Sequence, residues 1–203
     1  MSPDQSQPGA FWVFGYGSLI WNPGFTFTDR RRATLSGWRR AFCMSSIVYR
    51  GTPDRPGLVL ALDEDQDAAC HGVAYRVAGT EADATLAYLR ERELVSYAYR
   101  ETRLPLTLEG DEIVEAVAFV VKRDHAQYRG GLSLAEQADV IASAIGPRGP
   151  NAEYLANTIA GLDALGLPDA DLARLSEMVR ARIDPDRHEA HGSATRGRID
   201  KPL

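Results

Sequence analysis

The apolar pattern of this chain changes character once, and that change limits the folds open to it. Up to about residue 121 the apolar residues fall in short strand-like runs; from residue 133 they follow a helical repeat. Phe11–Tyr16 (FWVFGY) reads as a buried strand entering a glycine turn. Further strands are expected near 34–44, at 57–62 (GLVLAL), at 70–77 (CHGVAYRV), near 99–108 and at 112–121. Asp54-Arg55-Pro56-Gly57 and Glu109-Gly110-Asp111 punctuate them. A helix is inserted before 99–108, with Thr80 as its expected cap and Glu81 and Asp83 in its first turn, where the macrodipole favours negative charge.

The last third predicts three helices, Ser133–Ile145, Asn151–Leu165 and Asp169–Arg182, the second capped by Asn151. Strands broken by one helix and followed by a helical block indicate α+β rather than a doubly wound sheet. Several short strands in one small domain suggest a barrel or a strongly curled sheet. The expected organisation is one domain over residues 11–183, a disordered leader over 1–10 and a polar tail over 184–203.

Charge and cysteine content narrow the function classes. The net charge of -5 argues against nucleic acid as a partner, because phosphate binding draws on clustered excess Lys and Arg. Arg30-Arg31-Arg32 is the one compact basic run and is expected as a solvated loop. Cys43 and Cys70 stand far apart, outside any C-x-x-C pattern, and are read as inert core residues. His188 and His191 form H-x-x-H in the tail without further ligands, so no metal site is expected. With no long apolar run, no membrane partner is expected, and the chain is read as a reduced, cytoplasmic protein.

Two places can carry chemistry. Gly15-Tyr16-Gly17-Ser18-Leu19 closes the first strand, and its glycines leave backbone N–H groups open to a carboxylate or an oxyanion. Ile20 stands where either a dinucleotide fingerprint or a nucleophile elbow would need glycine, so the turn also reads as a plain connector. The second place is Glu93. At about 100° per residue it lies about 20° from the direction of Leu86 and about 40° from that of Leu89. A carboxylate is thereby set on an apolar stripe near a helix C-terminus, where the macrodipole opposes it. Such a group pairs with Arg90 or Arg92, snorkels to the edge of the stripe, or serves a purpose. Tyr88, Leu89 and Tyr99 read as core, and His71 as a packed or edge histidine.

Four segments together resemble the ChaC-like γ-glutamylcyclotransferases. Phe14-Gly15-Tyr16-Gly17-Ser18-Leu19-Ile20-Trp21 is similar to the family's F-G-Y-G-S-L-[IV]-W opening, and Gly37-Trp38-Arg39-Arg40-Ala41-Phe42 to its G-[YW]-x-R-x-F. Arg92-Glu93 followed by Ala98-Tyr99 resembles R-E…[GA]-Y, although animal-type members have a glycine pair where Tyr97-Ala98 stand here. Gly149-x-Asn151-x-Glu153-Tyr154-Leu155 resembles G-x-N-x-E-Y-L. The resemblance implies a γ-glutamylcyclotransferase-like curled mixed β-barrel with one inserted helix and a C-terminal helical block. It implies a lyase that cleaves glutathione to 5-oxoproline and Cys-Gly without cofactor or metal. Glu93 would be the catalytic acid/base, and Val13, Phe14, Gly15, Tyr16, Gly17, Ser18, Leu19 and Tyr99 would bind substrate. Two alternatives stay open: a cyclotransferase for γ-glutamyl amines or γ-glutamyl dipeptides, and a non-catalytic binding or regulatory module.

Overall fold

A computed structural model of the chain describes residues 9–185. Its two longest strands, β2 (Asp29–Ser46) and β3 (Gly57–Val77), would each run roughly 60–70 Å if straight, far beyond a small domain. They bend instead. The register of their antiparallel pairing breaks between Ser36 and Trp38 and again between Phe42 and Met44. Bulges of this kind curl a sheet and add twist. At the first break Gly37 adopts φ 81°, a conformation that costs glycine no steric clash.

The curled sheet closes. With β1 (Phe11–Gly15), β4 (Tyr99–Leu108) and β5 (Ile113–Val121) it forms a closed barrel in the order β1-β3-β2-β4-β5. Neighbours are antiparallel except at the closure, where β1 and β3 both pair parallel with β5. Phe14, Leu35, Leu62, Tyr75, Leu106 and Phe119 are among the buried side chains that fill the barrel. Helix α1 (Ala82–Glu93) is inserted between β3 and β4. Helices α2 (Leu134–Ser143), α3 (Asn151–Ala164) and α4 (Ala170–Ile183) pack together around Ile141, Leu155, Leu162, Leu175 and Val179. Between α2 and α3 lies a tight hairpin of β6 (Ile145–Gly146) and β7 (Gly149–Pro150).

The expected fold class is the observed one; several local expectations are corrected. Segments 57–62 and 70–77, expected as two strands, are one, joined through the acidic run Asp63-Glu64-Asp65-Gln66-Asp67-Ala68-Ala69. Asp63 is fully buried there because Arg39 (2.8 Å) and Arg123 (2.7 Å) both donate to it, and Tyr128 adds its hydroxyl at 3.1 Å. Arg30-Arg31-Arg32 lie on β2, not in a loop. Asp29 and Glu112 pair with Arg31, and Glu109 pairs with Arg32. Thr80 does not cap α1, which starts from a 3-10 turn over Gly79–Glu81 without a side-chain cap.

Nor does Asn151 cap α3. Fully buried, it accepts from the Leu58 N–H and donates to the Leu58 carbonyl, both at 2.7 Å, and so pins the start of α3 to β3. Ser133 does cap α2, in a capping box with Glu136, and Asp169 caps α4. Ile145 belongs to β6 rather than to the preceding helix. His71 is an exposed strand residue whose ring meets the Thr34 hydroxyl at 3.0 Å. Most of the predicted leader and tail, including His188 and His191, lies outside the described residues.

The buried carboxylate makes the fold sensitive to acid. Burial by itself would push the Asp63 carboxyl up, but the hydrogen bonds from Arg123 and Arg39 outweigh it and hold the group below its ordinary value. Its stabilising contribution is therefore complete above the unfolded value, about 3.9, and is lost as pH falls through the folded one. Asp63→Asn should melt well below wild type at pH 7, and the gap should narrow as pH falls below about 4. A gap that stays constant across thermal melts from pH 7 to pH 3 would show that the Asp63 charge is not what matters.

Candidate active site

Two elements end at the same mouth of the barrel. β1 runs into the glycine turn, where Ser18–Ile20 form a single 3-10 turn, and α1 ends at Glu93. Between them lies a cavity of about 190 Å³. Tyr16, Gly17, Ser18 and Leu19 line it from one side, and Arg92, Glu93 and Tyr99 from another. Six of the nine residues predicted for the site thus meet at one cavity. Val13, Phe14 and Gly15 are not among its lining residues; Val13 and Phe14 are fully buried in the barrel.

Arg92 joins the two elements. One of its terminal nitrogens donates to the Ser18 hydroxyl at 2.7 Å. The other donates to the Asn22 carbonyl at 2.7 Å and to the Tyr88 hydroxyl at 2.9 Å. Its Nε lies 3.2 Å from Glu93 Oε1. The ion pair weighed for Glu93 as an alternative to a functional role is therefore present, and the carboxylate still lines the cavity. Leu89, one turn before Glu93, is fully buried, and Leu86 is half-buried. Burial pushes the Glu93 carboxyl above the ordinary range, and Arg92 and then Arg148 oppose that shift without cancelling it.

Three buried tyrosines complete the floor, each fixed through its hydroxyl. Tyr16 donates to the Phe119 carbonyl and Tyr99 to the Leu60 carbonyl, both at 2.8 Å, and Tyr154 accepts from the Leu60 N–H at 3.4 Å. Burial raises all three phenols, and the Glu93 charge adds to the rise, so they remain neutral hydrogen-bonding groups. Tyr154 also sets the space at the turn, since a Cβ on Gly17 would sit 3.0 Å from its hydroxyl. Arg40 holds the turn from behind, donating to the Tyr16 carbonyl at 2.6 Å while pairing with Asp169 at 2.9 Å.

Sequence reasoning did not single out Arg40, Arg50, Arg148 or Tyr154 as site residues. Arg50 lines the cavity, buried beneath the β6–β7 hairpin, where it donates to the Pro150 carbonyl at 3.0 Å. The signals were present in the matched motifs, which contain Arg40 and Tyr154, but their directions come only from the fold. At Tyr97, where animal-type members have glycine, the chain takes φ 57°, a conformation that glycine adopts freely and other residues rarely do. Cys43 and Cys70 are buried, and burial pushes their thiols up to about 12 and about 11. Among the described residues no three metal-ligating side chains gather at one point, and no helix is long and apolar enough to cross a membrane.

This architecture has solved counterparts. The fold is similar to a crystal structure of a γ-glutamyl cyclotransferase specific to glutathione from yeast, with a TM-score of 0.78 at 26% identity over 85% of this chain and 96% of that one. In sequence, the chain is 38% identical over 178 residues to the glutathione-specific γ-glutamylcyclotransferase of Escherichia coli (strain K12), covering 88% of this chain and 75% of that one. It is 34% identical over 177 residues to γ-glutamylcyclotransferase 2-3 of Arabidopsis thaliana, covering 84% and 89%. The ChaC-like protein family matches residues 11–182. The chain belongs to the ChaC-like protein family.

A carboxyl whose pKa burial raises is a cost to the fold at neutral pH. Because the folded value lies above the unfolded one, stability falls as pH rises from about 4.3 toward the folded value. Glu93→Gln removes that cost. The variant should melt above wild type at pH 7, and the advantage should vanish in melts near pH 4. A variant that melts below wild type at pH 7 would mean that the Arg92 pair outweighs burial.

Proposed function

We propose that the protein is a γ-glutamylcyclotransferase that cleaves glutathione to 5-oxoproline and Cys-Gly. The observation that carries this reading is the pairing, across one cavity, of the raised carboxyl of Glu93 with the Gly17–Leu19 turn. The named activities of the relatives support it.

The chemistry needs no enzyme nucleophile. The α-amine of the substrate attacks its own γ-carbonyl carbon, a five-membered lactam closes, and the bond to the cysteinyl nitrogen breaks. Holding the two ends of the γ-glutamyl group together supplies much of the rate. Glu93 takes the proton that the α-ammonium must lose before attack. The attacking nitrogen sheds a second as the lactam closes, and Glu93 relays the two in turn to the departing nitrogen, which leaves as an ammonium, so the carboxylate is regenerated. A solvated glutamate near 4.3 is a poor base for an α-ammonium near 8, a mismatch of roughly 5 kcal/mol. Burial of Glu93 narrows that gap.

The turn takes the opposite charge. The first amides of a helical turn have no partner within the turn, and Gly17, Ser18 and Leu19, which open this one, line the cavity, so their N–H groups are the donors offered to an oxyanion or carboxylate. The Ser18 hydroxyl accepts from Arg92, which fixes the turn and leaves this serine without a base. With their thiols held neutral by burial, Cys43 and Cys70 have no part in the reaction.

Incubation with glutathione, γ-Glu-Ala and a γ-glutamyl amine, followed by assay of 5-oxoproline, tests the reading. Release from glutathione above the other two is expected; release from none would leave a binding module. Within the site, Gly17→Val should lower turnover about 10²–10³-fold, the usual cost of a lost oxyanion donor, because its side chain drives into the Tyr154 hydroxyl. Ser18→Ala, which keeps the amides, should lose less. If Ser18→Ala is the inactive variant, the hydroxyl acts directly and the assignment to the backbone is wrong.

A further inference from the structure

Three guanidinium groups line the cavity, and two are already engaged. Arg92 holds Glu93 and the glycine turn, and Arg50 reaches the Pro150 carbonyl and lies 3.7 Å from Glu153. Arg148 is different. Among the described residues it has no carboxylate at ion-pair distance; its guanidinium lies instead over the Tyr49 ring, 4.0 Å from the centroid. It is exposed and belongs to the lining of the cavity.

Its position is built rather than incidental. Arg148 sits in the turn between β6 and β7, and its N–H donates to the Tyr49 carbonyl at 3.0 Å. Gly146 lets the hairpin lie backbone to backbone on the 49–51 loop, since a Cβ there would collide with the Tyr49 carbonyl and the Gly51 amide. The Tyr49 hydroxyl in turn contacts the Arg92 carbonyl at 3.4 Å, one residue before Glu93. A ring therefore spans the distance from the end of α1 to Arg148, and the Arg148 charge is felt at Glu93. A guanidinium stacked by its face keeps the N–H donors of its edge free for a carboxylate in bidentate geometry.

We propose that Arg148, stacked on Tyr49, binds the C-terminal carboxylate of a γ-glutamyl peptide and so selects such peptides over γ-glutamyl amines and esters. This deepens, and rests on, the cyclotransferase reading of the site. With the γ-glutamyl group between Glu93 and the glycine turn, Arg148 is the exposed guanidinium on the lining of the same cavity that is left for the other end of the substrate. Glutathione carries a free glycyl carboxylate at that end; a γ-glutamyl amine carries none.

The test compares glutathione with its glycyl ethyl ester, which removes that charge and adds an ethyl group, in wild type, Arg148→Gln and Arg148→Lys. 5-Oxoproline release gives kcat and KM, and a thermal melt of each variant checks folding. In wild type glutathione should be preferred. In Arg148→Gln the KM for glutathione should rise about tenfold, as for a lost charge-assisted hydrogen bond, and the preference over the ester should fall by the same factor. Arg148→Lys keeps the charge without the planar fork and should lie between them. A preference unchanged in Arg148→Gln overturns the inference, whether both activities survive or both fall. Equal use of the ester by wild type also overturns it and leaves the cyclotransferase reading intact. If wild type releases no 5-oxoproline from either compound, that reading fails and this inference with it.

Discussion

One guanidinium makes the site a site. Arg92 stands at the end of α1, yet its donors reach Ser18, Asn22 and Pro23, some seventy residues earlier in the chain. Without that link the glycine turn on β1 and the carboxylate on α1 would be two loop ends at the mouth of a barrel. With it, they face one another across a cavity at fixed separation. Arg40 does the corresponding work behind the turn, tying the Tyr16 carbonyl to α4 through Asp169. The barrel supplies the rigid wall, and two buried arginines orient what stands on its rim.

The same arrangement explains why an expensive residue is tolerated. Glu93 is nearly enclosed, at the end of a helix whose dipole opposes its charge, and Arg92 compensates only in part. A fold optimised for stability alone would place an uncharged residue there. The contrast with Asp63 is instructive. Asp63 is buried as well, but three donors surround it and its carboxyl is held low, which marks it as a structural charge. The two carboxylates differ in the number of donors that reach them, and that difference separates the proposed acid/base from the strut.

Much of this was legible in the sequence. The barrel strands and the helical block follow from period and punctuation, and Glu93 follows from the stripe it shares with Leu86 and Leu89. What was not legible depends on contacts between residues distant in the chain. Where β3 is one strand the sequence suggests two, and nothing local announces that Arg39 and Arg123 will neutralise Asp63 in the gap between them. Asn151 looked like a cap because its preference for helix starts is local, whereas its partner, Leu58, lies ninety-three positions away. Arg148 stands in Gly146-Pro147-Arg148-Gly149-Pro150, whose glycines and prolines announce a break between two helices and nothing more. Only the packing of that hairpin on the Tyr49 loop brings it to the cavity.

Glu93 bears the central claim, and one substitution isolates it. Glu93→Gln keeps the shape and hydrogen-bonding capacity of the side chain and removes its ability to take a proton. Release of 5-oxoproline from glutathione by this variant, measured at pH 7 on folded protein, should fall at least about a hundredfold, in line with the ~10²–10⁴-fold usual for general acid–base groups. A folded variant that retains more than about a hundredth of the wild-type rate would contradict the assignment of Glu93 as the acid/base.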